Sequence, residues 1–222
     1  RQIMCQKAVV FDFDGTLVNS AAMWRKTLET YLADYLPDNS RSYLDEIEHL
    51  SFGEKCCRFH DELGAGGTVQ EVFDDLSSRV ITGYANDVMP LPHALEYVAF
   101  LHSKGIQLSI ASSTPPTIIR NALSNLNIAD NFAAIAYTGD VGNDKSQPDV
   151  YLEAIERVGS APEHSIVFED AVFGCRACRL AGIRTVGITY KKNDQDTQEL
   201  RRYSTIVIED YHDPRIYEIE NL

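Results

Sequence analysis

The sequence predicts an α/β fold: a Rossmann-like parallel sheet with a small all-helical domain inserted after its first strand. Three observations lead there. An apolar run at Val9, Val10 and Phe11 stops at two aspartates, Asp12 and Asp14, one residue apart and followed by Gly15. Residues 20–86 carry no strand pattern, and their apolar positions recur at helical spacing. From Met89 onward, short apolar runs alternate with amphipathic segments, as in a parallel sheet covered on both faces.

The first strand is apolar throughout, which suits burial on both sides. Positions two apart on a strand share a face, so Asp12 and Asp14 are expected to project into one crevice. Two anions that close repel unless a cation lies between them, which predicts a metal site. A solvated strand end is the alternative for a bare D-x-D; the hydrophobic strand before it and Gly15-Thr16-Leu17 after it argue otherwise.

Asn19 or Ser20 is placed to cap a first helix, with Trp24, Leu28, Tyr31, Leu32 and Tyr35 along it and Pro37 closing it. Ser40 caps a second helix carrying Tyr43, Leu44, Ile47 and Leu50. Ser51 and Glu54 form a capping box for a third, which Gly64 ends. Thr68 and Glu71 repeat the signal ahead of a long stripe through Val72, Phe73, Leu76, Val80 and Tyr84. The expected division is therefore residues 1–19 and 87–222 for the α/β core and residues 20–86 for the helical domain.

Pro90-Leu91-Pro92 starts a helix that Gly105 ends. Strands are then expected at residues 106–111, 132–137, 165–168, 184–188 and 205–208, with helices at 114–126, 148–158, 172–181 and 195–203. Residues 211–222 carry no motif, and the chain has no internal repeat.

Of 222 residues, 44% are hydrophobic and 24% charged, ordinary for a globular protein. The net charge of −13 argues against a nucleic-acid partner and against docking on an anionic membrane. An odd set of five cysteines, Cys5, Cys56, Cys57, Cys175 and Cys178, fits reduced thiols better than a disulfide framework. Cys175 and Cys178 form a lone C-x-x-C inside an expected helix, where core packing is the stronger reading than zinc. With no secretion signal and no membrane-length apolar run, a cytoplasmic protein is expected, monomeric by default, with Met4 as a candidate natural start.

Ligands of such sheets bind at the carboxyl ends of the strands, and the polar residues cluster there. Ser112-Ser113-Thr114 lies just before a helix start, a seat for phosphate or simply a cap. Lys145 precedes the helix at Pro148, and Glu169 and Asp170 end the fourth strand. Burying Asp12, Asp14, Glu169 and Asp170 together without a cation is costly. Mg²⁺, a hard ion that takes oxygen ligands, resolves the conflict, and Lys145 supplies the remaining positive charge.

In order, Asp12-Phe13-Asp14-Gly15-Thr16, then Ser112, then Lys145 with Pro148 and Asp149, then Glu169-Asp170 with Gly174 resemble the four motifs of the haloacid dehalogenase (HAD) superfamily. The resemblance spans nearly the whole chain. It is nearest to the branch with a helical cap after the first motif, which contains beta-phosphoglucomutase and many small-metabolite phosphatases. It implies that Asp12 attacks phosphorus to form an aspartyl-phosphate and that Asp14 serves as acid and then base. It further implies Mg²⁺ held by Asp12, the backbone carbonyl of Asp14 and Asp170, with Glu169 one step removed from the ion. The phosphoryl group is expected on Gly15, Thr16, Ser112, Ser113 and Lys145. Two departures stand out: Ser146 follows the lysine where many capped relatives have proline, and His93 replaces a glycine often found where the cap returns.

Hydrolysis of a small phosphate monoester, such as a sugar phosphate, is the leading expectation. Superfamily dehalogenases lack the second aspartate, here Asp14. Phosphonatases use a cap lysine as a Schiff base, and Lys55 is expected instead to be a solvated cap-helix lysine. A mutase of the beta-phosphoglucomutase type remains as an alternative, although its Gly-x-Ser-Arg loop is absent. Of a different class is a phospho-acceptor module, for which Asp14 would have no use. Trp24, Arg25, Lys55, Arg58 and His60 are candidate substrate contacts, set against a core role for Trp24 and a solvated face for the charges.

Overall fold

A computed structural model describes residues 6–218; Met4 and Cys5, named above, lie outside that range. Among the described residues, six parallel strands form the sheet: β1 (Ala8–Phe11), β4 (Gln107–Ser112), β5 (Ala134–Tyr137), β6 (Ser165–Glu169), β7 (Arg184–Ile188) and β8 (Ile206–Ile208). Their spatial order is β5-β4-β1-β6-β7-β8, so the first strand lies in the interior. All four residues of β1 are buried. Val9 and Phe11 pack into the larger of two hydrophobic clusters and Val10 into the smaller, as the alternation of a doubly covered strand requires. Burying a side chain such as Phe11 contributes roughly 1.5–3 kcal/mol.

Helices α5 (Ala94–Ser103) and α6 (Pro116–Asn125) cover the first face, and α8 (Asp149–Arg157) covers the other. Helix α9 (Val172–Leu180) places Cys178 in the second cluster, and Cys175 and Cys178 are both free and buried. No helix among the described residues is long and apolar enough to cross a membrane.

Between β1 and β4 lie α1 (Ala21–Leu32), α2 (Ser40–Glu46), α3 (Phe52–Leu63) and α4 (Val69–Asp87). The capping box of Ser51 and Glu54 forms at the start of α3, and Gly64 ends that helix in left-handed backbone (φ 68°). Two expected caps do not form. Ser20 occupies the N-cap position of α1, but its hydroxyl is spent on Asp14. Ser40, expected to cap α2, is instead the first residue of that helix, and Asn39 before it makes no side-chain cap bond.

A feature the periodicity did not announce frames the helical stretch. Val18–Asn19 (β2) and Met89–Pro90 (β3) pair antiparallel, so the chain leaves and re-enters the α/β region through a two-stranded neck. Two residues per strand are too few to show a period. The return passes through His93, whose φ of 62° explains why glycine suits that position. Its ring stacks on His212 at 3.7 Å.

Of the stretch without a motif, residues 219–222 lie outside the described range, and Tyr211 and Ile216 belong to the core. Tyr211 is fully buried among Phe11, Tyr97 and Phe168, and its hydroxyl donates to the Thr16 carbonyl at 2.8 Å.

Candidate active site

Register assembles the site. Phe11 lies abreast of Ile110 on β4 and Phe168 on β6, so the residues just beyond each strand emerge at one edge. Asp12 keeps to the ladder by donating its N–H to the Phe168 carbonyl at 2.9 Å. The chain then turns at Gly15, whose φ of 90° favours glycine, and Gly15 N–H donates to Val18 O at 2.8 Å. Glycine is also needed for space: a Cβ there would fall 2.4 Å from Asp170 Oδ2.

Asp12, Glu169 and Asp170 offer oxygen atoms that all lie within 4.8 Å of one another. Lys145 is buried with Asp12 and Glu169 and bonds Asp12 Oδ1 as well as Glu169 Oε2, the latter at 3.0 Å. Thr16 donates to Asp12 Oδ2 at 2.8 Å, so both oxygens of Asp12 are oriented. Glu169 collects further donors: the Tyr151 hydroxyl at 2.8 Å and the N–H groups of Asp170 and Ala171 at 3.0 Å. Gly174 lets α9 approach this group, since a Cβ there would meet Tyr151 Oη at 2.3 Å.

These unequal surroundings separate the three carboxyls. Burial, reinforced by the Glu169 charge, pushes Asp12 well above its ordinary pKa against the pull of Lys145. Burial and Glu169 also raise Asp170, to about 6, with Lys192 opposing them through a 2.7 Å ion pair. Burial acts on Glu169 too, but Lys145, the Ala171 amide and Tyr151 overcome it and hold that carboxyl below the usual range. Glu169 is therefore the anion the protein itself stabilises, whereas Asp12 and Asp170 remain short of positive charge.

Asp14 faces elsewhere. Its Oδ1 accepts from Ser20 Oγ at 2.6 Å, Trp24 Nε1 at 2.9 Å and Tyr84 Oη at 2.5 Å, and its Oδ2 from Thr114 Oγ1 at 3.3 Å. The side chain thus stands outside the cluster of Asp12, Glu169 and Asp170, tied to α1 and α4. Trp24 is more than helical core, and Tyr84, one apolar-stripe position among several in the sequence, is a contact of the second aspartate.

Ser112 Oγ accepts from the Thr114 N–H at 3.0 Å, and the Ser113 carbonyl accepts from Phe52 N–H at 2.9 Å, joining the β4 edge to α3. Gly53 N–H donates to Tyr137 Oη at 3.0 Å on the same side.

Most candidate contacts on the helices are occupied elsewhere. Arg25 pairs with Glu29 and Asp45, Arg58 with Glu62, and His60 Nδ1 with the Ala65 carbonyl. Lys55 departs from the solvated lysine expected of it: it is half-buried, donates to the Glu48 carbonyl at 3.1 Å, and burial lowers its pKa.

Residues 9–188 match the haloacid dehalogenase-like hydrolase family, and the chain belongs to it. It is 30% identical over 195 residues to a phosphorylated carbohydrates phosphatase of Thermotoga maritima, covering 85% of this chain and 88% of that protein. Hexitol phosphatase B of Escherichia coli is 25% identical over 205 residues, covering 88% of each. Among solved structures, CbbY of Rhodobacter sphaeroides in complex with phosphate superposes with a TM-score of 0.77 at 20% identity, covering 94% of this chain and 96% of that one, a likeness of fold. Within the family, the chain is an enzyme of the phosphatase type.

Proposed function

We propose that this enzyme hydrolyses a small phosphorylated carbohydrate in the presence of Mg²⁺, through an aspartyl-phosphate on Asp12. The arrangement of Asp12 carries the reading: a buried carboxylate ending an interior strand, oriented by Thr16 and Lys145, with a second aspartate two residues on. The carbohydrate class is suggested by the names of the relatives from Thermotoga maritima and Escherichia coli.

Asp12 attacks the phosphorus in line and the sugar alkoxide leaves; Asp14 delivers a proton to the departing oxygen. Asp14 then takes a proton from the water that attacks the acyl phosphate, which frees inorganic phosphate and restores Asp12. Lys145 neutralises charge on Asp12 and on the incoming phosphoryl group, while Ser112 and the amides beside it hold the phosphoryl oxygens. The oxygen-only donor set and the shortfall of positive charge at Asp12 and Asp170 fit a hard divalent ion. Asp12, Asp170 and the Asp14 carbonyl would hold Mg²⁺, which supplies charge stabilisation to the transferring phosphoryl group. Together these groups must remove on the order of 20 kcal/mol from the uncatalysed barrier.

Residues 20–86 act in this reading as a cap over a core of residues 1–19 and 87–222. Trp24 and Tyr84 reach Asp14 from that stretch, which would exclude bulk water from the acyl phosphate.

The test is phosphate release from sugar phosphates, polyol phosphates, phosphoglycolate and nucleotides, with Mg²⁺ and with EDTA. Metal-dependent release from a few phosphorylated carbohydrates is expected, and Asp12→Asn should abolish it. Undiminished turnover by that variant would overturn the mechanism. Silence across the panel would favour a mutase, which moves phosphate without freeing it.

A further inference from the structure

Three carboxyl groups converge at the sheet edge, and Lys145 bonds only Asp12 and Glu169 among them. The third, Asp170, is paired with Lys192, Nζ to Oδ2 at 2.7 Å. None of the four sequence motifs includes Lys192. It lies in the turn after β7, where Lys191 adopts left-handed backbone (φ 55°) and Lys192 N–H donates to the Thr189 carbonyl at 3.0 Å. The paired side chains are 27% and 16% exposed, so the pair is partly shielded from solvent.

We propose that Lys192 is a resident cation that occupies Asp170 until a divalent ion displaces it, and that it thereby sets the affinity of the site for that ion. The inference rests on the reading of Asp170 as a metal ligand. Steering Asp170 into place is a task already filled by other groups. Its carboxylate lies against the bare Cα of Gly15, and its N–H is bonded to Glu169 Oε1. What Lys192 adds is charge. A cation beside a ligand opposes a dication on that ligand, yet without the dication it neutralises a shielded carboxylate next to Glu169. Removing Lys192 therefore has opposite effects in the two states: the metal-free protein loses stability while the ion binds more tightly. A salt bridge with a purely structural role gives only the first effect.

The experiment compares the full chain with its Lys192→Met and Lys192→Gln variants. Mg²⁺ alone is titrated by calorimetry without substrate, and melting temperatures are recorded in EDTA and in Mg²⁺. The Kd for Mg²⁺ should fall by about tenfold in both variants. Their melting temperatures should drop by a few degrees in EDTA and rise more on adding Mg²⁺ than that of the unaltered protein. Asp170→Asn separates the two readings. If the unaltered protein binds no Mg²⁺, or Asp170→Asn binds it equally well, the metal reading fails and the inference with it. If Asp170→Asn abolishes binding while both Lys192 variants bind Mg²⁺ no more tightly than the unaltered protein, the inference alone is overturned.

Discussion

Lys145 stands between Asp12 and Glu169 with 6% of its surface exposed, and Tyr151 lies beneath its ammonium at 5.6 Å. Replacing it by Met leaves two carboxyls facing each other with their shared cation gone. Such losses cost about 3–5 kcal/mol, which should appear as a lower denaturant midpoint together with the loss of phosphate release. The penalty depends on pH in a defined direction. Glu169 is held below its ordinary value of 4.5, so the stability it draws from Lys145 is fully present above that pH. Acid removes it as Glu169 titrates, and the gap between the two proteins should narrow there. At this scale the spacing of Glu169-Asp170 and Gly174 foretold a group that does meet Asp12 at the sheet edge, whereas Asp14, expected to share a crevice with Asp12, turns its side chain to Ser20, Trp24 and Tyr84 instead. The sequence was silent on Lys192, because only the turn after β7 carries that side chain to a residue 22 positions away.

Helix α4 shows the same contrast between elements. Its start at Thr68 and its buried stripe followed from capping and periodicity, and Val72, Leu76, Val80 and Tyr84 are indeed buried. Periodicity identifies the inward face of a helix but not which of its members is polar at the tip and touches something charged. Tyr84 is that member: its ring packs against Phe13 and Trp24 while its hydroxyl donates to Asp14. Tyr84→Phe keeps the ring and removes one donor. A hydrogen bond to a charged group contributes about 1.5–3 kcal/mol, so kcat should fall by about tenfold with KM little changed. A drop in KM affinity without loss of kcat would instead assign Tyr84 to substrate binding. The β2–β3 neck was missed for a related reason, since its pairing is long-range and its strands are too short to leave a pattern.

At the scale of the whole molecule, residues distant in the chain close on one another around the first motif. Tyr211 holds the Thr16 carbonyl, and Tyr97 donates to the Ile216 carbonyl at 3.0 Å, so residues 211–216 brace the loop that carries Asp14. Tyr211→Ala should cost about 3–5 kcal/mol by thermal or denaturant unfolding, and Tyr211→Phe about 1 kcal/mol. The order of the sheet has a consequence for biosynthesis. Ala8 pairs with Gln107 on one side and Ser165 on the other. As the chain leaves the ribosome, β1 therefore waits unpaired while the whole helical stretch emerges. Its apolar run stays without its second neighbour until β6 is out. Closing loops of that length is slow, so nascent chains halted before residue 165 are the ones that should need a chaperone to shield Val9 and Phe11.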